Sequence, residues 1–217
     1  MKKIVCFHGF MGSPDDFDFL KDQFKIDAIN IETILSLSIN EISEFVKSKR
    51  PDFLLGYSFG ARLAIQVYCT DPNSYEKLFL LGGHAGLKTE TEREKRVLVE
   101  QEFLRNINEK TFEKFLVYWN NLDIFKYDKK VNPLPRPKNI MNLYFKNWGL
   151  SMQPYCLETL LKYNEKVHWF FGANDMKYRK YAEEFLVSMN VDIIENAGHR
   201  LLQQQNEVKS KLMRYLS

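Results

Sequence analysis

"LLGYSFGARLA", residues 54–64, sets a serine between two glycines directly after an apolar run. Phe53, Leu54 and Leu55 read as a short buried strand, and Ala61 to Tyr68 as an apolar-rich helix. A chain that passes from strand to helix through so short a turn forces the residue at the apex into strained backbone angles. Side chains two positions either side of that apex would collide with the adjoining strand and helix, and Gly56-x-Ser58-x-Gly60 has none there. The other reading is a glycine-rich turn whose serine is incidental. Five residues do not separate the two; the rest of the chain has to.

Outward from this junction, apolar runs alternate with helical patterns. Strands are expected at 3–7, 26–31, 53–57, 77–82, 167–172 and 191–195, and helices at 13–24, 38–49, 59–70, 178–189 and about 200–216. Such alternation predicts a mostly parallel α/β sheet of about six strands, flanked by helices. Between Gly83 and about Lys166 the alternation stops. Residues 84–166 carry helical periodicity, many charges and one proline-rich loop, Asn132-Pro133-Leu134-Pro135-Arg136-Pro137. They begin with Thr89-x-x-Glu92, the spacing of a capping box. The expectation is a single domain over 1–217 with a helical lid inserted between two of its strands.

A serine hydroxyl is a weak nucleophile and a weaker base. It needs an imidazole to exchange its proton and a carboxylate to fix that imidazole's tautomer. Asp175 falls just past the strand at 167–172, in Gly172-Ala173-Asn174-Asp175, and His199 just past the next, in Asn196-Ala197-Gly198-His199. With Ser58 they form the chain order serine, acid, histidine, each at the carboxyl end of a strand. Taken singly, such an aspartate reads as a helix cap and such a histidine as a surface or core residue; their joint order favours a catalytic triad. His168 lies inside a strand and His84 follows the fourth strand, so both fit less well. Negative charge developing on a substrate also needs donors. The backbone amides of Phe10, in Phe7-His8-Gly9-Phe10 after the first strand, and of Phe59 are expected to converge as an oxyanion hole. A plain strand-ending turn is the alternative at Phe10.

Composition bounds the rest. A chain of 217 residues, 45% apolar and 27% charged, suits one globular domain. A net charge of +3 gives no argument for nucleic acid or membrane binding. The N-terminus, Met1 to Phe7, carries an apolar run that stops at His8-Gly9, too short for the core of a signal peptide and read as a strand. No run approaches the ~18 apolar residues of a membrane span. Cys6, Cys69 and Cys156 are an odd number without CxxC spacing, which favours reduced thiols and a cytoplasmic protein. The histidines lack metal-ligand spacing, and no phosphate-binding glycine motif is present, so neither metal nor cofactor is expected. The sequence leaves the oligomeric state open.

On these residues the chain resembles the α/β-hydrolase superfamily over nearly its whole length. A narrower likeness rests on "GGHAGLKTETEREKR" at 82–96, on Phe115, Trp119 and Phe125, on "GLSMQP" at 149–154, and on Tyr57 and Arg62 around the serine. These resemble the 2-succinyl-6-hydroxy-2,4-cyclohexadiene-1-carboxylate synthases of menaquinone biosynthesis. The resemblance implies a lyase that eliminates pyruvate from a succinyl-enolpyruvyl-cyclohexene carboxylate, with Ser58 as base. It also implies Arg62 and Arg96 on substrate carboxylates, Tyr57 and Trp119 at the substrate, and Arg93, one turn before Arg96, as its support. Solvated charges at Arg93 and Arg96, and core packing at Trp119, are the plainer readings. Asn120 departs from the family, which often has an aromatic there. A serine esterase or thioesterase acting on a small acyl substrate uses the same triad, and a binding module on a dead hydrolase fold is a third possibility. Paired arginines argue against the esterase, and an intact triad against the binding module.

Overall fold

A computed structural model describes residues 1–215; the final residue of the helix expected to end near 216 lies outside them. β1 (Lys3–Phe7) leads through a 3₁₀ turn at Pro14–Leu20 to β2 (Lys25–Ile29), α1 (Ile39–Ser48), β3 (Phe53–Tyr57), α2 (Phe59–Thr70) and β4 (Lys77–Leu81). Four helices come next, α3 (Glu90–Glu109), α4 (Phe112–Asn120), α5 (Lys138–Lys146) and α6 (Leu157–Lys162). The chain then returns to the sheet through β5 (Val167–Gly172), α7 (Met176–Phe185), β6 (Asn190–Ile194) and α8 (Gln205–Met213). Among the described residues the sheet has six strands, all parallel, in the order β2-β1-β3-β4-β5-β6.

Strand periodicity divides the core in two. Val5, Phe7, Leu54, Leu80, Trp169 and Phe171 pack on one face with α1, α2 and the segment between β4 and β5. Their neighbours Ile4, Cys6, Phe53, Leu55, Phe79 and Phe170 pack on the other, against Phe17, Leu20 and α8. Because both faces are covered, the strands carry apolar residues at successive positions rather than alternating ones. α2 lies so deep that its residues from Phe59 to Ile65 are all buried, Arg62 included.

Several element ends differ from the sequence expectation, each for a local reason. β2 stops at Ile29 because the Asn30 side chain accepts from the Glu32 amide and opens a 3₁₀ turn. The helix expected at 13–24 is 3₁₀ over Pro14–Leu20, begun by a Ser13–Asp16 capping box. α7 ends at Phe185 because β6 already pairs with β5 from Asn190, which leaves 186–189 for the return. The last expected helix divides into 3₁₀ at Leu201–Gln204 and α8.

Candidate active site

β1 sends its chain to β2 on one side, while β3 beside it sends its chain to β4 on the other. The carboxyl ends of β1 and β3 therefore border a crevice at a topological switch point, where open α/β sheets bind ligands. Ser58 follows β3 there, and the loop His8–Gly12 follows β1.

Ser58 has φ 53° and ψ −111°, a conformation that costs a non-glycine residue about 1–3 kcal/mol. Its amide is fixed by the Leu81 carbonyl at 2.7 Å. Both glycines are required sterically: a Cβ on Gly60 would stand 2.1 Å from the Phe7 carbonyl oxygen, and one on Gly56 2.4 Å from the Ala61 Cα. The opposite loop is braced by His8. Its Nε2 accepts from the Ile31 amide at 3.1 Å, so Nδ1 carries the proton and donates to the Gly9 carbonyl at 2.8 Å. Burial lowers the His8 pKa, in keeping with this neutral form. The Phe10 amide has no hydrogen-bond partner among the described residues, and the Phe59 amide, first in α2, has none within its helix.

His199 Nε2 lies 2.9 Å from Ser58 Oγ, and its Nδ1 lies 2.7 Å from Asp175 Oδ2. A carboxylate can only accept, so Nδ1 holds the proton and Nε2 is free to take one from the serine hydroxyl. His199 and Asp175 are both buried. The helix-cap reading of Asp175 also holds: Oδ1 accepts from the Tyr178 amide at 3.3 Å and begins α7. One carboxylate serves both purposes, an oxygen each.

A cavity of about 580 Å³ opens from Ser58 and His199 toward the inserted helices, and Arg62, Arg96, His84 and Lys177 line it. Arg62 is 8% exposed. Its Nη1 donates to the Trp148 carbonyl at 3.1 Å, and its guanidinium stacks over the Phe59 ring. Among the described residues no carboxylate pairs with it. Burial and the nearby Arg96 charge lower its pKa to about 10, so it stays charged at neutral pH. Arg96 differs. Its Nε donates to Glu100 at 2.7 Å, and Glu100, 4% exposed, also accepts from the Leu150 amide at 2.6 Å. The Nη nitrogens of Arg96 have no partner among the described residues.

Arg93 does not support Arg96. It points the other way and donates to the carbonyls of Ser151, Gln153 and Leu87, tying α3 to the 149–154 turn. Trp119 lies against Phe10 at a centroid distance of 4.8 Å and also packs on Phe103 and Phe125, so it is both packing and wall. Tyr57 faces a second cavity, of about 400 Å³, with Arg200. The two cavities share Phe10, Ser58, Trp119 and Phe125, and Arg62 and Arg96 line only the first. Asn120 is held by hydrogen bonds: it exchanges two with the Val131 backbone and accepts from Arg200 Nη2 at 2.7 Å.

Sequence reasoning misses several residues here. His84 stacks on Tyr181 at 4.3 Å and is pushed down to about 3 by burial and by Arg62, Lys177 and Arg96. Lys177, lowered by burial and Arg96, adds a further cation two residues beyond Asp175. Glu100 is the exception that was open to reading, since it stands four residues after Arg96. Among the described residues no group of three or more His, Cys, Asp or Glu is disposed to hold a metal ion, and no helix is long and apolar enough to cross a membrane.

The chain is an enzyme of the α/β-hydrolase fold. MenH from S. aureus superimposes with a TM-score of 0.83 at 17% identity, covering 99% of this chain and 93% of that one. A thermophilic esterase from Thermogutta terrifontis superimposes at 0.66 with 14% identity, covering 100% and 89%. The narrower resemblance is borne out by named relatives. A Bacillus subtilis protein, provisionally named 2-succinyl-6-hydroxy-2,4-cyclohexadiene-1-carboxylate synthase, is 26% identical over 97% of this chain and 88% of its own length. A Salmonella typhimurium protein of the same name is 23% identical over 90% and 86%. No family model matches the chain.

Proposed function

We infer that this enzyme eliminates pyruvate from a succinyl-enolpyruvyl-cyclohexene carboxylate on the route to menaquinone, and that 84–166 is the lid over its substrate. The observation that carries this reading is Arg62. A buried guanidinium without a carboxylate partner is unfavourable in the empty protein and becomes favourable once an anion occupies the cavity. A neutral ester has no use for it; a substrate with several carboxylates does, with Arg96 and Lys177 beside it. Relatives named as synthases of this reaction support the same choice.

In this reading Asp175 holds His199 in the tautomer that accepts the Ser58 proton, and the resulting alkoxide removes a proton from the carbon next to the succinyl carbonyl. The electron pair moves onto the carbonyl oxygen, facing the amides of Phe10 and Phe59. Its return forms the new ring double bond and breaks the C–O bond to the enolpyruvyl group, which leaves and tautomerises to pyruvate. The proton passes from Ser58 through His199 to the leaving group. Arg62 and Arg96 orient carboxylates throughout, with Tyr57 and Trp119 at the substrate. Three free cysteines suit a reducing, cytoplasmic setting. The test is direct: the purified protein releases pyruvate from the precursor, followed by coupled lactate dehydrogenase, and processes aryl esters feebly. Efficient ester turnover with no pyruvate released would transfer the assignment to a serine esterase.

A further inference from the structure

The loop that carries His199 is gripped from the inserted segment by a carboxylate that no sequence spacing announces. Asp128 Oδ1 accepts from the Gly198 amide at 3.1 Å, and Oδ2 accepts from the Arg200 amide at 3.1 Å. The two donors are the backbone N–H groups on either side of His199. Asp128 is itself anchored through its amide to the Phe125 carbonyl at 3.0 Å. The grip is close: a Cβ on Gly198 would meet Asp128 Oδ1 at 2.5 Å. On its other side the loop rests on the end of β5, where the Asn174 amide donates to the Ala197 carbonyl at 2.8 Å.

The contact belongs to a larger seam. Arg200 reaches back to donate to the Lys129 carbonyl at 2.8 Å and to Asn120 Oδ1 at 2.7 Å, and its guanidinium covers the Phe125 ring at 4.0 Å. Gln203 exchanges two hydrogen bonds with the Lys129 backbone, at 3.0 and 2.7 Å. Within this seam, and among the described residues, it is the Asp128 side chain that holds both amides flanking the imidazole. Burial raises the Asp128 pKa above the ordinary carboxylate value, while the two amides and the Arg200 charge favour the carboxylate.

We propose that Asp128 is the positioning residue for His199: it fixes the imidazole against Ser58 and makes that alignment depend on the seating of the inserted segment. This rests on Ser58 and His199 acting as a pair, and is independent of which substrate they act on. Substrate ground-state contacts are made by other residues, so loss of Asp128 is read in kcat and not in KM. A displacement of the order of 1 Å in a catalytic group lowers rate by as much as about a hundredfold.

The test is the rate at which a fluorophosphonate labels Ser58, since phosphonylation needs the aligned Ser58–His199 pair and no natural substrate. The comparison is with Gln203→Ala, which opens the same seam without touching the His199 backbone. Asp128→Ala is expected to slow labelling about ten- to a hundredfold and to lower kcat for pyruvate release by a similar factor, with KM within about threefold. Gln203→Ala is expected to stay within about threefold of the parent in both. Asp128→Asn keeps the volume but turns an NH₂ toward one amide; it gives the same reading if the alanine variant does not fold. Labelling by both Asp128 variants within twofold of the parent, or equal slowing by Gln203→Ala, overturns the proposal. If the parent itself is not labelled, the pairing of Ser58 with His199 falls, and this inference with it.

Discussion

Replacing Arg62 by methionine separates what binds substrate from what stabilises the fold. Methionine keeps the aliphatic volume and suits the interior of α2. Against an anionic substrate the variant loses one charge-assisted contact, worth roughly 1.5–3 kcal/mol, so kcat/KM should fall about ten- to a hundredfold. Stability should behave differently. The variant gives up one hydrogen bond to the Trp148 carbonyl, about 1 kcal/mol, but also removes a buried cation that faces Arg96 with no carboxylate of its own. The two effects nearly cancel, and a change of 1 kcal/mol moves Tm by about 2–4 °C in a chain of this size. Arg96→Met is the contrast, because it strands the buried Glu100 and should lower both activity and Tm. Arg105, exposed and paired with Glu102 on the surface, is the control and should change neither. Pyruvate release and thermal melting on the same preparations decide it. An Arg62→Met protein that keeps full activity, or melts more than about 6 °C lower, refutes the view of Arg62 as a cation awaiting an anion.

Two further outcomes follow from strain and burial. Ser58→Ala should lose several orders of magnitude in turnover while remaining folded, and Ser58→Gly should be as inactive yet melt higher than Ser58→Ala, because glycine accepts φ 53° without penalty; equal melting points would remove the argument from strain. His168 is buried, has no hydrogen-bond partner among the described residues, and is held neutral, with its pKa lowered to about 4 by burial and by Lys77. The unfolded chain takes up a proton near pH 6.5 and the folded chain does not, so this residue's contribution is intact above pH 6.5 and is lost as pH falls toward 4. Urea melts of His168→Leu should show a shallower acid decline, by up to about 2 kcal/mol at pH 5; parallel declines in the two proteins would rule that contribution out.

The fold was legible because its signals are local. Short apolar runs with no alternation mark strands covered on both faces, and Gly56 and Gly60 mark a turn where a methyl group has no room. The order of Ser58, Asp175 and His199 was equally readable, since each follows a strand end and parallel strands send their carboxyl ends to one edge. The arginines show where such reading stops. Arg93 and Arg96 are three residues apart on one helix, yet one meets backbone carbonyls and the other faces the cavity, a difference set by where the 149–154 turn packs. Asp128 shows it again. Its partners are 70 and 72 positions away, and an aspartate in a polar loop has no periodicity to mark it. Element ends slipped where a side-chain cap fixed the boundary, as Asn30 does after β2, or where the following strand did, as β6 does after α7.

Strand order also sets a timetable for synthesis. A chain leaving the ribosome amino end first has β1 to β4 available to pair while the rest is still unmade, and those strands already contain the strained turn at Ser58. Its imidazole partner is 141 positions further on, beyond the whole helical insertion and the last two strands. The sheet can therefore close around the serine early, while β5 must wait for about 85 intervening residues before it finds β4. In the proposed reading the nascent protein carries an inert hydroxyl until the segment that holds His199 docks beside it.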